Sequence, residues 1–193
     1  MPSPRESDIL RGLERMTLSG ERNVLSIDGF YRAGVLVPVI LRGEETDLLF
    51  TRRTDHVETH KGQISFPGGM TDAGDADIIQ TSLREAEEEL GIGPSLVDVR
   101  GILDDLAVPS GFIITPVVGT LRGLPLLRPN PGEVAEAFTV PLGFFCNPGS
   151  GRSELRDFRG GKREVWFYQY AEHTIWGATA MIVRSLLLEM GLV

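Results

Sequence analysis

The chain has 193 residues, of which 41% are hydrophobic, and a formal net charge of −8 at pH 7. This length suits one domain with a sizeable core, so we expect a single domain over residues 1–193. The negative charge argues against nucleic acid as a general partner, because neutralising phosphates requires a basic surface. The single cysteine, Cys146, excludes an internal disulfide and suits a reducing cytosol, and no apolar stretch is long enough for a membrane span. We therefore expect a cytoplasmic protein with no membrane partner.

Residues 1–22 are predicted to form an N-terminal helical extension. Apolar side chains recur there at helical spacing, namely Ile9, Leu10, Leu13 and Met16. A helix of this kind packs on the core of its own chain or on a second subunit. The sequence therefore leaves a homodimer open.

The rest of the chain combines short apolar runs with helical segments. Strands are predicted over residues 35–41, 48–51, 97–103, 112–121 and 165–170. A closing helix is predicted over 174–190. Two stretches rich in Gly, Pro and Arg, 122–131 and 147–163, are predicted as loops. The pattern is that of an α+β protein.

A turn with two glycines precedes the most acidic helix. The sequence Ser-Phe-Pro-Gly-Gly ends at Gly69, and Gly68 and Gly69 permit positive φ and close approach of the backbone to a ligand such as a phosphate. The helix that follows is bounded by Asp77 as N-cap, with Gln80 in capping-box position and Gly91 just after the C-terminus.

Three carboxylates share one face of this helix. At about 100° per helical residue, Glu88 and Glu89 lie on either side of Glu85. Like charges at this spacing destabilise a helix, Arg84 offsets only part of the repulsion, and a divalent cation with oxygen ligands would offset more. The alternative is a solvated acidic face.

Residues 84–92 resemble the Nudix hydrolase superfamily, whose box reads G-x5-E-x7-R-E-U-x-E-E-x-G-U, with U an aliphatic residue. Every fixed position of the second half is matched. In the first half, counting from Gly69, Asp75 holds the acidic position and one extra residue precedes Arg84. A register without the insertion would instead use Met70 and Ala76. We favour Asp75, because the coenzyme A pyrophosphatase subgroup commonly carries an extra residue here.

The resemblance to this subgroup extends upstream of the box, where its pattern is roughly L-L-x-x-R-[ST]-x3-R-x3-G-x3-F-P-G-G. Residues 48–54 and 62–69 follow the pattern, but Glu58 replaces its second arginine. Lys61 and Arg52 are the alternatives for the missing positive charge.

The resemblance implies a Nudix fold, a mixed β-sheet sandwiched between α-helices (α/β/α). It implies Mg²⁺ or Mn²⁺ as cofactor, with Glu85 and Glu89 as direct ligands, Glu88 as a further or water-mediated ligand, and the backbone of Gly69 as another. Arg84 would orient a glutamate.

The position of the general base varies within the superfamily. Glu88 is the first choice for the base, and Glu133 and Glu136 are the alternatives.

The resemblance also implies a small-molecule substrate, coenzyme A or a related nucleoside diphosphate derivative. Arg53 and Lys61 would bind substrate phosphate. Phe66 is either a stacking surface for the substrate or part of the core of its turn.

The sequence therefore leaves three functions open. The first is metal-dependent cleavage of coenzyme A, or its acyl or oxidised forms, to 4′-phosphopantetheine and adenosine 3′,5′-bisphosphate. The second, kept because of Glu58, is hydrolysis of another derivative such as ADP-ribose or NADH. The third is a non-catalytic nucleotide-binding module.

Overall fold

Eleven strands and four helices occur in the part of the chain that the structure, a computed structural model, describes: residues 6–16, 22–43, 45–54, 62–158 and 161–193. The helices are α1 (Glu6–Arg15), α2 (Ile78–Leu90), α3 (Leu142–Phe145) and α4 (Gly177–Glu189). The strands are β1 (Tyr31–Arg42), β2 (Glu45–Arg53), β3 (Ile64–Ser65), β4 (Gly68–Met70), β5 (Asp98–Ile102), β6 (Leu106–Val108), β7 (Phe112–Arg122), β8 (Val134–Pro141), β9 (Gly151–Phe158), β10 (Gly161–Tyr170) and β11 (His173–Trp176).

The main sheet is mixed. Its central path runs β3-β2-β1-β7-β5, while β4 also pairs with β1, β6 with β7 and β8 with β2. The long pairing of β1 with β7 is parallel and the others are antiparallel. β1 and β7 are apolar on both faces, which is typical of strands covered on both sides.

Helices cover both faces of this sheet. Leu36 and Ile40 of β1 pack with α2, whereas Val37 and Val39 pack in the opposite core with α1 and α4. The alternation follows from the two-residue period of a strand. The predicted α/β/α arrangement and the predicted α+β class are both confirmed.

The N-terminal helix packs on the end of the last helix. Its buried side chains Ile9 and Leu13 join the same core as α4. A Cβ built on Gly12 would lie 2.7 Å from the Cβ of Met190, so only glycine allows this approach. The helix begins at Glu6 and ends at Arg15, within the predicted extension.

Two predicted elements differ from the structure. Residues 147–163, predicted as a loop, contain β9 and the start of β10, which form a second, three-stranded sheet with β11. The charged sequence of β9 lacks the apolar alternation that identifies a buried strand. The closing helix begins at Gly177, because residues before it form β11 instead. None of the helices in the described ranges is long and apolar enough to cross a membrane.

Candidate active site

The two glycines of the turn place the main chain against the acidic helix. In β4, Gly68 pairs with Val35 and Gly69 with Gly34. A Cβ on Gly68 would lie 2.5 Å from the carbonyl oxygen of Gly34, and one on Gly69 would lie 2.5 Å from the carboxylate carbon of Glu85. Neither glycine has a positive φ. The expected use of positive φ is therefore wrong here, and the absence of a side chain is what both positions require.

The ends of α2 are fixed by the predicted caps. The carboxylate of Asp77 accepts a hydrogen bond of 2.8 Å from the backbone N–H of Gln80. In a capping box the Gln80 side chain would accept a hydrogen bond from the N–H of the N-cap residue, Asp77. Here it accepts instead from the N–H of Ala76, one residue earlier. Gly91 has φ of 72° and its N–H donates to the carbonyl of Glu87. These caps set which way the acidic face points.

Arg84 lies at the centre of the site and orients three carboxylates. Its guanidinium donates to both oxygens of Asp75, at 3.0 and 3.1 Å. It also donates to Glu85 at 2.8 Å, to Glu88 at 3.0 Å, and to the carbonyl of Met70 at 3.0 Å. Such two-pronged, charge-assisted bonds fix the plane of the guanidinium. The orienting role expected for Arg84 fits this geometry.

Asp75 is the carboxylate that holds Arg84 in place. Its side chain is 3% exposed, and it also accepts from the Thr81 hydroxyl at 2.8 Å and the Asp72 N–H at 2.9 Å. Hydrogen bonding from Arg84, with smaller contributions from Asp72 and Thr81, holds the pKa of Asp75 well below its usual range. The geometry thus supports the register of the box that contains the extra residue.

Glu89 is a buried carboxylate in a negatively charged environment. It is 3% exposed, and burial raises its pKa to about 8, although the Gly68 N–H and the charge of Arg53 oppose the shift. The carboxylates of Glu133 and Glu85 add to the rise. An ionised Glu89 therefore needs a further positive charge close by.

Glu85 shares this environment. Burial raises its pKa, the charges of Glu88 and Glu133 raise it further, and Arg84 acts in the opposite direction. Glu85 and Glu89 thus repel each other and also repel Glu133. Glu88 has a 56% exposed side chain and faces solvent beside Arg84.

The donor chemistry of this cluster fits a hard divalent cation. Its side-chain oxygens are carboxylates, the ligands that Mg²⁺ and Mn²⁺ prefer, and their mutual repulsion is what such an ion would relieve. Within the described ranges, no three Asp, Glu, His or Cys side chains already stand arranged around one point. Arg84 holds two of the glutamates instead.

Glu133 is tied to the acidic helix by the segment before it. The backbone N–H of Asn130 donates to the carbonyl of Glu89 at 2.8 Å, and that of Arg128 donates to the carbonyl of Leu90 at 2.7 Å. The Asn130 side-chain amide then donates to the Glu133 carboxylate at 3.2 Å. Sequence reasoning identified Glu133 but missed Asn130, whose signal was the Asn-Pro-Gly turn.

Glu136, the other alternative for the base, is bound elsewhere. It accepts from Arg52 at 3.1 Å and lies 3.7 Å from a ring nitrogen of His173, whose ring stacks on Phe138. Its position favours a structural ion pair.

The three expected substrate-binding residues have different outcomes. Arg53 ends β2 near Glu89, and its buried Nε has no hydrogen-bond partner in the described part of the chain. Phe66 is 3% exposed and stacks on Phe50 with ring centroids 4.7 Å apart, which corrects the stacking-surface interpretation in favour of turn core. Lys61, like Glu58, lies outside the described residues.

The fold and the site define a hydrolase of the Nudix class. The NUDIX domain profile matches residues 31–157, and the chain belongs to this family. Members of the family generally use divalent metal ions.

Similar proteins include "Uncharacterized Nudix hydrolase NudL" of Photorhabdus laumondii, 43% identical over 159 residues covering 82% of this chain and 84% of that protein. The protein of the same name from Escherichia coli O1:K1 / APEC is 40% identical over 162 residues, with 83% of each chain covered. The chain is thus a Nudix hydrolase acting on a nucleoside diphosphate derivative.

Solved structures agree in fold. A MutT/nudix family protein from Enterococcus faecalis matches with a TM-score of 0.52 at 14% identity, covering 88% of this chain and 71% of that one. The Nudix hydrolase RenU from M. smegmatis matches with a TM-score of 0.51 at 22% identity, covering 61% and 74%. At these identities the likeness concerns the fold alone.

Proposed function

We propose that the chain hydrolyses the pyrophosphate bond of coenzyme A, in the cytoplasm, to give 4′-phosphopantetheine and adenosine 3′,5′-bisphosphate. The observation that carries this choice is Arg53. It occupies the arginine position of the coenzyme A pyrophosphatase pattern, its charge lowers the pKa of Glu89, and its buried Nε has no hydrogen-bond partner among the described residues. A guanidinium in this state is suited to a phosphate group.

The metal site of the proposal consists of Glu85 and Glu89, with Glu88 as a further or water-mediated ligand and the Gly69 main chain beside them. A bound Mg²⁺ or Mn²⁺ would supply charge neutralisation at the pyrophosphate oxygens. Arg84, itself fixed by Asp75, positions Glu85 and Glu88. Its role is positioning rather than contact with the substrate.

The base that removes a proton from the attacking water is proposed to be Glu88. It is the most exposed of the three glutamates at fixed positions of the box, and it adjoins Glu85 through Arg84. Glu133 is the alternative, because its charge reaches both Glu85 and Glu89. Comparison of Glu88→Gln and Glu133→Gln separates them: the variant that lacks the base has a lower kcat and loses the rise of kcat with pH on the acidic side of the profile.

The experiment that tests the substrate is product analysis after incubation with coenzyme A, ADP-ribose and NADH, each with Mg²⁺, with Mn²⁺ and with a chelator. Metal-dependent release of adenosine 3′,5′-bisphosphate, faster than turnover of the other two substrates, is the expected result. Glu87→Gln is the matched control for the box variants, because Glu87 lies on the same helix but is exposed and away from the cluster.

The role of Arg53 is tested with coenzyme A and dephospho-coenzyme A, which lacks the 3′-phosphate. We expect Arg53→Gln to raise KM for coenzyme A by roughly tenfold and to leave KM for dephospho-coenzyme A nearly unchanged. An equal rise for both compounds would contradict contact with the 3′-phosphate.

A second candidate function is favoured by Glu58, which places a negative charge where the subgroup pattern has arginine. In that case the same panel ranks ADP-ribose or NADH first. Tight binding without turnover under any metal would instead favour the non-catalytic nucleotide-binding module.

A further inference from the structure

The strand β9 is an edge of the three-stranded sheet. In the ranges that the structure describes it pairs only with β10, through the register that runs from Gly151 opposite Tyr168 to Phe158 opposite Gly161. Its other side presents backbone donors and acceptors along eight residues. Edges of this length are available for pairing with another strand.

The side chains of β9 alternate between two faces. Arg152, Glu154 and Arg156 share one face, where Glu154 pairs with both arginines. Ser153 and Leu155 lie on the other face, and Leu155 is 71% exposed. Leu155 is thus the apolar side chain in the middle of this charged edge strand that a pairing strand would cover.

We propose that β9 pairs with β9 of a second copy of this chain, antiparallel, about a two-fold axis at Leu155. A two-fold axis through an antiparallel pair places one residue opposite its own copy. With Leu155 at that point, Glu154 of each copy lies opposite Arg156 of the other, so two oppositely charged cross-strand pairs form. The two leucines face each other at the centre.

Neighbouring registers are unfavourable. An axis at Glu154 places the two Glu154 carboxylates opposite each other and Arg152 opposite Arg156. An axis at Arg156 places the two Arg156 side chains opposite each other. Like charges directly opposite destabilise a strand pair, so charge disfavours both of these registers. An axis at Ser153 also places Glu154 opposite an arginine, Arg152, but it places Leu155 opposite Gly151, whereas the axis at Leu155 brings the two exposed leucines together.

The test uses two charge reversals and their mixture. Glu154→Arg alone places two arginines opposite each other at each cross-strand position, and Arg156→Glu alone places two glutamates there. We expect the dimer of each variant to have a dissociation constant roughly tenfold or more above that of the wild type, measured by analytical ultracentrifugation. An equimolar mixture restores both attractive pairs and therefore the dimer.

The mixture separates pairing between copies from effects within one chain. Both variants lose the internal contact of Glu154 with Arg156, and mixing cannot restore that contact. Glu14→Arg, an exposed residue of α1, controls for net charge and should leave the dimer unchanged. A wild type with the mass of one chain at about 100 μM, or a mixture that stays monomeric, would overturn the proposal.

A second measurement does not depend on the charge variants. In a Cys146→Ala background, Leu155→Cys should form a disulfide between two copies under mild oxidation, because the axis places this residue opposite itself. Leu126→Cys, at a residue that is 83% exposed, is the control for random collision. Equal cross-linking of the two variants would count against the register.

Discussion

The Arg84 cluster and the Asp105 cluster are both partly buried ion networks, but their charges are balanced in opposite ways. Asp105 has no exposed side-chain surface and accepts from Arg22 at 2.7 Å, Arg32 at 2.9 Å and Thr115 at 2.7 Å. One carboxylate thus serves two guanidiniums. Around Arg84 the ratio is reversed, since one guanidinium serves three carboxylates.

This difference separates a structural network from a site that needs a ligand. The Asp105 cluster satisfies its own carboxylate and joins residues 22–25 to the sheet, also through the N–H of Leu25. Within the described ranges, the charge of Arg53 lowers the pKa of Glu89 but does not offset the effect of burial on that carboxylate. Excess negative charge at a partly buried position is what a divalent ion compensates.

The largest expected effect is a loss of activity when the Arg84 cluster is changed. Glu89→Gln should lower kcat/KM by about 100-fold or more, because it removes the charge of a proposed metal ligand, whereas Glu87→Gln should retain the wild-type rate. The melting temperature of Glu89→Gln without metal should not fall, because the neutral amide carries a smaller desolvation cost than a carboxylate. Retained activity of Glu89→Gln, or unfolding of this variant, would contradict the view that the Arg84 cluster is a ligand site and not a structural network.

The second effect is a loss of stability when the Asp105 cluster is changed. Asp105→Asn should lower the free energy of unfolding by about 2–4 kcal/mol, because two guanidiniums lose their shared carboxylate. Urea denaturation measures this change. Specific activity per folded molecule should remain that of the wild type, and a stability loss below about 0.5 kcal/mol would show that the network contributes little.

A smaller effect on activity is expected at Asp75, which holds Arg84 in place. Asp75→Asn should reduce kcat by roughly tenfold and weaken Mn²⁺ binding, because Arg84 would keep its bonds to Glu85 and Glu88 but lose the pair that orients its plane. Paramagnetic titration with Mn²⁺ measures affinity apart from turnover. Unchanged affinity together with unchanged kcat would remove Asp75 from the positioning role.

The smallest effect is the pH dependence of stability. Hydrogen bonds from Thr115, Leu25, Arg22 and Arg32 outweigh burial and lower the pKa of Asp105 in the folded state. A lowered folded pKa stabilises the protein above the unfolded pKa of about 3.9, and this contribution is lost as the pH falls below that value. The difference in stability between wild type and Asp105→Asn should therefore shrink between about pH 5 and pH 3. A constant difference would contradict the assignment.

Local signals in the sequence predicted much of the site. The caps at Asp77 and Gly91 and the spacing of the glutamates depend on residues within two helical turns of each other. The box pattern predicted Asp75 at the acidic position but not its pairing with Arg84, nine positions away, which the structure shows. These contacts are short in sequence, which is why a pattern can represent them.

Contacts between distant segments were not predictable in the same way. The core position of Phe66 depends on Phe50 in a neighbouring strand, and the strand β9 depends on β10 for its backbone hydrogen bonds. The Asp105 cluster joins residues more than 70 positions apart. No composition signal marks such pairings, because each depends on register between strands.

The hydrogen bonds from Arg128 and Asn130 to the carbonyls of Leu90 and Glu89 have a consequence for changes in loop length. They attach the start of the Glu133 segment to the last turn of α2, so the spacing from Asn130 to Glu133 is fixed relative to the glutamates. Insertions should be tolerated within 123–127, ahead of these bonds, and should inactivate the enzyme when placed between 130 and 133. Loop replacements intended to alter substrate choice are therefore best placed within 123–127, before these hydrogen bonds.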